Sequence, residues 1–160
     1  MKKVCILYKE YNPTIDAIKF KLNSVQVNEY KFLPENEKFD LIVSLSGYEN
    51  SHKEDILAVH HSLLPAFNSE NPEKEAILAG VKVTGITFYY KNSGKIITQY
   101  PVFVRGNTHY EELKEELDYI EQSLYPIVIE KILNNNYFEI QDLVNKNCSG
   151  NCGGCSSCKQ

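Results

Sequence analysis

The sequence predicts an α/β domain: a mostly parallel sheet with an antiparallel hairpin at one edge and a long C-terminal helix. Three observations carry that prediction. Two short continuous apolar runs, residues 4–8 (VCILY) and 40–46 (DLIVSLS), have the character of strands buried on both faces. Segments with helical spacing alternate with strand-like segments, the pattern of a wound sheet. Two alternating runs, 83–90 and 95–104, flank Asn92, Ser93 and Gly94, which are turn residues, so a β-hairpin is expected there.

Taken in order, the run at 4–8 is the first strand. Asn12 can cap a helix and Pro13 suits its first position. Ile15, Ile18 and Leu22 then share one face, which predicts a helix over 13–22. Residues 25–32 read as a second strand and 34–38 as a polar turn. The run at 40–46 ends at Gly47 as a central strand. A short helix is expected over 52–57, and a strand over 58–60. Residues 71–80 carry a capping Asn71, Pro72 in the first turn, early acids and a terminal Gly80, a full set of helix signals. From His109 a long helix is expected with Leu113, Leu117, Ile120, Leu124, Val128 and Ile132 as its buried stripe, kinked or restarted at Pro126. Residues 1–144 form one α/β domain in this reading, and 145–160 a cysteine-rich tail.

Composition narrows the function. The 160 residues carry a formal net charge of −4, which offers no basic face for gathering phosphates, so no nucleic-acid partner is expected. No apolar run is long enough to span a bilayer, and the N-terminal apolar run is too short for a secretory signal, so a cytoplasmic location and no membrane partner are expected. In a wound sheet the site lies beyond the carboxyl ends of the strands. That places Gly47, Tyr48, His60 and His61 at the candidate site and makes a small molecule the expected ligand. The sequence leaves the oligomeric state open. Leu63, Leu64 and Phe67 are expected mainly in the core, Tyr48 and Tyr89 half-buried, and Cys5 as a small buried hydrophobe.

At 60–67 (HHSLLPAF) the sequence resembles the folate-dependent formyltransferase family, whose glycinamide ribonucleotide and methionyl-tRNA branches are nearest. The likeness continues in order through 76–87 (AILAGVKVTGIT), 93–99 (SGKIITQ) and 121–129 (EQSLYPIVI), and covers roughly 40–133. The resemblance implies a Rossmann-like formyltransferase fold and a formyl transfer in one-carbon metabolism with 10-formyltetrahydrofolate, a reduced folate, as cofactor. It also implies catalysis by an Asn, a His and an Asp. His60 stands at the position of the His, Ala58 at that of the Asn, and Asn92 at that of the Asp. His61 replaces the motif's usual Pro and adds a second polar group. The candidate catalytic residues are therefore His60, His61 and Asn92. The candidate folate-binding residues are Gly47, Tyr48, Leu64, Tyr89 and Gly94. The family's Gly-rich phosphate loop after the first strand is replaced by Tyr8-Lys9-Glu10-Tyr11-Asn12-Pro13, and the interval from Val4 to Asp40 is short for the family. Two of the three catalytic positions are replaced. Two functions follow: a formyltransferase with an altered acceptor, or an inactive formyltransferase-fold module for ligand binding, redox or metal handling.

The tail concentrates four of the five cysteines, Cys148, Cys152, Cys155 and Cys158, in the spacing C-x₃-C-x₂-C-x₂-C. In a reducing compartment such a cluster reads as metal ligands before disulfides. Four thiolates suffice for a zinc ion or for a [4Fe–4S] cluster, and ligands drawn from one short segment favour the cluster. Free reduced thiols on a flexible tail are the third alternative.

Overall fold

The computed structural model describes residues 1–45, 48 and 53–136. Gly47 and the four tail cysteines lie outside the described residues, as does the boundary at 144/145. Nine elements follow in order: β1 (Lys3–Leu7), α1 (Thr14–Lys21), β2 (Gln26–Tyr30), β3 (Leu41–Ser44), β4 (Leu57–His60), α2 (Pro72–Leu78), β5 (Val83–Tyr90), β6 (Ile96–Phe103) and α3 (Tyr110–Leu133). The six strands form one sheet in the order β2-β1-β3-β4-β5-β6. β1 to β4 run parallel, whereas β5 is antiparallel to β4 and β6 to β5. This is the expected parallel sheet with an antiparallel edge and a long C-terminal helix.

The apolar run of β1 is continuous because both of its sides are covered. Val4 and Ile6 join Ile15 and Ile18 of α1 and Tyr125, Val128 and Ile129 of α3 in the main core. Cys5 and Leu7, which alternate with them, face a second cluster of Ile42, Tyr48 and Ile56, with Leu33 and Phe39 against it. Cys5 is fully buried, as expected, and burial pushes its thiol up to about 12. α1 starts one residue later than expected, with Pro13 rather than Asn12 at the cap position, and Asn12 accepts instead from the Thr14 amide at 2.9 Å just ahead of the helix.

The short helix expected over 52–57 is not present in its described part. Residues 53–56 are bends and extended chain leading into β4. The reason is tertiary: the Asp55 carboxylate accepts from the amides of Asn92 and Ser93, and the Ile56 carbonyl from the Lys91 amide, so the segment is tied to the β5–β6 turn.

The buried face of α3 is also rotated from expectation. Leu113, Leu117 and Val128 are buried as expected, but Ile120, Leu124 and Ile132 sit half-buried, and Glu121, Tyr125, Ile129 and Leu133 take the interior. Tyr125 sets this rotation. Its ring packs on Phe88 with centroids 5.1 Å apart, and its one hydroxyl proton is shared between the carbonyls of Ser44 (2.8 Å, the nearer) and Leu57 (3.2 Å). Pro126 does not end the helix; α3 continues through it, forgoing the single backbone bond that a proline nitrogen cannot make. No described helix is long and apolar enough to cross a membrane.

The loop after β4 is pinned to the hairpin. The Thr87 hydroxyl donates to the Ser62 carbonyl (2.6 Å) and accepts from the Leu64 amide, while the Gln99 amide donates to the Leu64 carbonyl (2.9 Å). Leu63, Leu64 and Phe67 are half-buried rather than core, because the loop lies over the hairpin instead of beneath it. Gly85 allows this approach. A Cβ there would fall 2.1 Å from the Tyr100 carbonyl oxygen and 2.7 Å from the Leu63 side chain. Gly85→Ala is therefore expected to destabilise the protein by about 3 kcal/mol, since a backbone oxygen cannot yield as a flexible side chain can. Urea denaturation measures this, and an unchanged midpoint would contradict the close packing.

Candidate functional site

The parallel strands deliver their carboxyl ends to one cleft of about 950 Å³. Tyr8 and Lys9 follow β1, Lys31 and Phe32 follow β2, Ser44 and Leu45 close β3, and His60 closes β4. Tyr48 and Tyr89 also line it, Tyr89 beside Ala58 by strand register. This is the position expected of a site in a wound sheet.

His60 is half-buried and held at both ring nitrogens. Nε2–H donates to the Ser69 carbonyl at 3.1 Å, and Nδ1 lies 2.9 Å from the Ser62 hydroxyl. That hydroxyl in turn donates to the Ala66 carbonyl at 2.6 Å. Burial is the largest influence on the ring and lowers its proton affinity; the Ser69 carbonyl opposes this, the neighbouring His61 adds to it, and Glu73 opposes it.

His61 is the first residue after β4, and its ring has none of the Ser62 and Ser69 contacts that hold His60. It meets α2 and α3. Nδ1–H donates to Glu73 Oε1 at 2.7 Å and Nε2–H to Glu121 Oε2 at 2.8 Å, and Asp118 Oδ1 lies 4.0 Å from Nε2. His61 is 9% exposed, Glu73 6% and Glu121 1%. Burial opposes the charge on the ring, but the hydrogen bonds to Glu121 and Glu73 override it and raise His61 to about 9. Burial likewise opposes charge on Glu73, and the bond from His61 brings its carboxyl below the ordinary value. A buried imidazolium between two carboxylates results, with Lys114 bonded to Asp118 at 2.9 Å at the rim.

The other residues read from the sequence distribute differently. Asn92 is exposed in the β5–β6 turn, where its side-chain amide donates to the Glu54 carbonyl at 2.6 Å. Gly94 lies in the same turn with φ +68°, a conformation that suits glycine. Leu64 is held through its backbone by Thr87 and Gln99. None of these three lines the cleft as Tyr48, Tyr89, His60 and His61 do. Tyr48 is buried rather than half-buried, its carbonyl accepting from Lys91.

A family model described as formyl transferase matches residues 45–129, more than half of the chain. The chain belongs to the formyl transferase family. Over 85 residues it is 35% identical to phosphoribosylglycinamide formyltransferase of Bacillus subtilis (strain 168), a match covering 51% of this chain and 44% of that enzyme. Over 60 residues it is 42% identical to the mitochondrial formyltetrahydrofolate deformylase 2 of Arabidopsis thaliana, covering 34% of this chain and 18% of that one. The chain thus spans less than half the length of these relatives. Among solved structures, glycinamide ribonucleotide transformylase 1 from Geobacillus kaustophilus superposes with a TM-score of 0.69 at 19% identity, covering 83% of this chain and 99% of that one, which shows the shared fold.

Within this formyl transferase family member, Glu73 and Asp118 line the cleft and Glu121 backs it through His61, and sequence reasoning missed all three. Glu73 reads as an ordinary helix-start acid. Glu121 carried a signal: it falls four residues after Leu117 and four before Tyr125, a charge on the apolar face of a helix. In EDTA buffer the His61 cluster makes a pH prediction. The folded chain holds the His61 proton more tightly than the unfolded chain, whose ordinary value is 6.5. The ion pairs therefore contribute fully below that value and their contribution is lost as pH rises to about 9. Glu73 contributes in the opposite sense, losing its share only as pH falls through its lowered value. The melting temperature is expected to fall between pH 7 and 9 in the native protein and to change much less in His61→Gln; equal slopes would refute the buried imidazolium.

Proposed function

We propose that this chain is a formyl transferase that takes its one-carbon unit from a reduced folate and delivers it to an altered acceptor. The observation that carries the reading is His60, placed by β4 at the head of the cleft with both nitrogens oriented. When the ring is neutral, Nε2–H rests on the Ser69 carbonyl. When it gains a proton, Nδ1–H donates to the Ser62 oxygen while that hydroxyl keeps its bond to the Ala66 carbonyl. Each ring proton has an acceptor in either state, so the ring keeps one orientation in both forms, and opening one of these two contacts would present a nitrogen to a ligand in the cleft for proton transfer. The matched relatives act, by their names, on a formyl group, and one of them on formyltetrahydrofolate.

The cleft suits such a ligand. Leu45, Tyr48, Ala58 and Tyr89 give an apolar wall against which a flat ring system can lie, and the volume is in the range of small-molecule sites. The folate supplies the formyl group. Lys9 and Lys31, at the ends of neighbouring strands, present positive charge to an anionic part of the folate or acceptor. The loop carrying Lys9 has no glycine, so this recognition is by side chains where a Gly-rich loop would use backbone amides.

A specific observation favours a second reading, a ligand-binding module without turnover. Ala58 has no hydrogen-bond donor, and the Asn92 amide is engaged with Glu54 outside the cleft. Loss of one oxyanion donor alone costs about 10²–10³ in rate. In either reading Cys148, Cys152, Cys155 and Cys158 ligate a thiophilic centre, an iron–sulfur cluster or zinc, since four thiolates complete either coordination set.

Equilibrium titration with a reduced folate is the first test. Binding, with formyl transfer to amine acceptors that drops about 10²–10⁴-fold in His60→Ala, supports the transferase. Binding without transfer supports the module, and no binding at high concentration removes the folate reading altogether. For the tail, anaerobic reconstitution with iron and sulfide is expected to give a broad visible absorption that Cys152→Ser abolishes. A colourless protein with one bound zinc identifies the zinc form, and a metal-free protein under reducing conditions rejects both.

A further inference from the structure

The buried cluster opposite His60 holds more than an ion pair. His61, Asp118 and Glu121 offer one ligand atom each within 4.8 Å of one another, on the end of β4 and on one face of α3. Glu121 is 1% exposed, and while its Oε2 meets His61, its Oε1 is buried and has no hydrogen-bond partner among the described residues. A buried carboxylate oxygen left without a partner is costly and calls for a ligand.

We propose that His61 Nε2, a Glu121 carboxylate oxygen and Asp118 Oδ1 form a binding site for a divalent first-row metal ion, with Glu73 as its supporting carboxylate. The geometry fits in several respects. With metal–ligand bonds of about 2.1 Å, neighbouring ligands of an octahedral ion sit about 3.0 Å apart. His61 Nε2 and Glu121 Oε2 are 2.8 Å apart and Asp118 Oδ1 is 4.0 Å from the same nitrogen, so an inward shift of Asp118 by about 1 Å closes the set, and Glu121 chelating through both oxygens would give Oε1 the partner it lacks among the described residues. Asp118 can bind through Oδ1 while Oδ2 keeps Lys114.

The arrangement of Glu73 is the second support. It accepts from His61 Nδ1–H at 2.7 Å, which leaves Nε2 as the ligating nitrogen. A carboxylate on the far nitrogen is the usual partner of a metal-bound imidazole, because it holds the tautomer and the ring plane and raises ligand basicity. The ion would take the place of the proton between Nε2 and Glu121, and that proton would leave to solvent. One imidazole and two carboxylates make a mixed nitrogen–oxygen set that suits divalent manganese, iron, cobalt or zinc and does not suit a soft ion such as Cu(I). His61 and Asp118 line the cleft, so coordination positions remain for water or a ligand oxygen. This inference does not depend on formyl transfer.

The test is a Mn²⁺ titration of the full chain followed by electron paramagnetic resonance, because the tail thiolates are poor ligands for Mn²⁺. One ion per chain is expected. Asp118→Asn, at a residue only half-buried, should weaken binding at least 10-fold, as should Glu121→Gln, and Glu73→Gln by about 10–100-fold. Replacing all four tail cysteines with serine should leave Mn²⁺ binding unchanged. Absence of saturable binding, binding indifferent to Asp118→Asn, or binding lost with the tail cysteines would each overturn the proposal.

Discussion

The structure depends on one buried cation. His61 lies at the end of β4, and its two nitrogens reach Glu73 on α2 and Glu121 on α3, so three elements meet at one ring. Charges removed from water are tolerated only when geometry is good and each is paired. Both bonds here are short, 2.7 and 2.8 Å, and they leave from the two nitrogens of the imidazole. The same pairing that permits burial also fixes where α2 and α3 stand relative to the sheet's carboxyl edge, and that edge is the cleft.

Two further fastenings make the cleft stiff. Tyr125 joins α3 to the backbones of β3 and β4 through a single hydroxyl. Thr87 and Gln99 hold the loop from Ser62 to Leu64 on the hairpin. His60 therefore stands between a strand tied to α3 and a loop tied to the hairpin. The polar residues of this region act first as positioning groups. The segment HHSLLP is kept in place through its backbone, and its two histidines, both at the cleft, face different partners: His60 the Ser62 hydroxyl and the Ser69 carbonyl, His61 the carboxylates of Glu73 and Glu121.

That division separates the chemistry of the two rings. Burial makes His60 easier to deprotonate, and its two hydrogen-bond partners are a hydroxyl and a carbonyl. His61 is surrounded by carboxylates and holds its proton strongly. Neighbours in sequence thus have opposite electrostatic roles, one suited to exchange a proton, the other to hold positive charge, whether as a proton or as a metal ion. The separation arises where β4 ends, His60 staying with the loop after the strand and His61 meeting α2 and α3.

Much of the fold was legible in the sequence because its signals are local. A strand covered on both sides needs an unbroken apolar run, so β1 and β3 could be read from four or five residues each. The hairpin announced itself by alternation around Asn92-Ser93-Gly94, α2 by Pro72, and the cleft by the residues that follow the strands. The rotation of α3 was not legible, because Tyr125 chooses its face by reaching carbonyls 68 and 81 positions away. Nor was the extended chain at 53–56, whose partners are the turn amides near residue 92. Glu121 shows the limit most directly: helical spacing places it inside, but only folding brings residue 61 to it, 60 positions away. Sequence alone determined which segments must be buried, since periodicity is a property of neighbours along the chain. Tertiary structure decided which charges meet, since a buried charge finds its counterion through space.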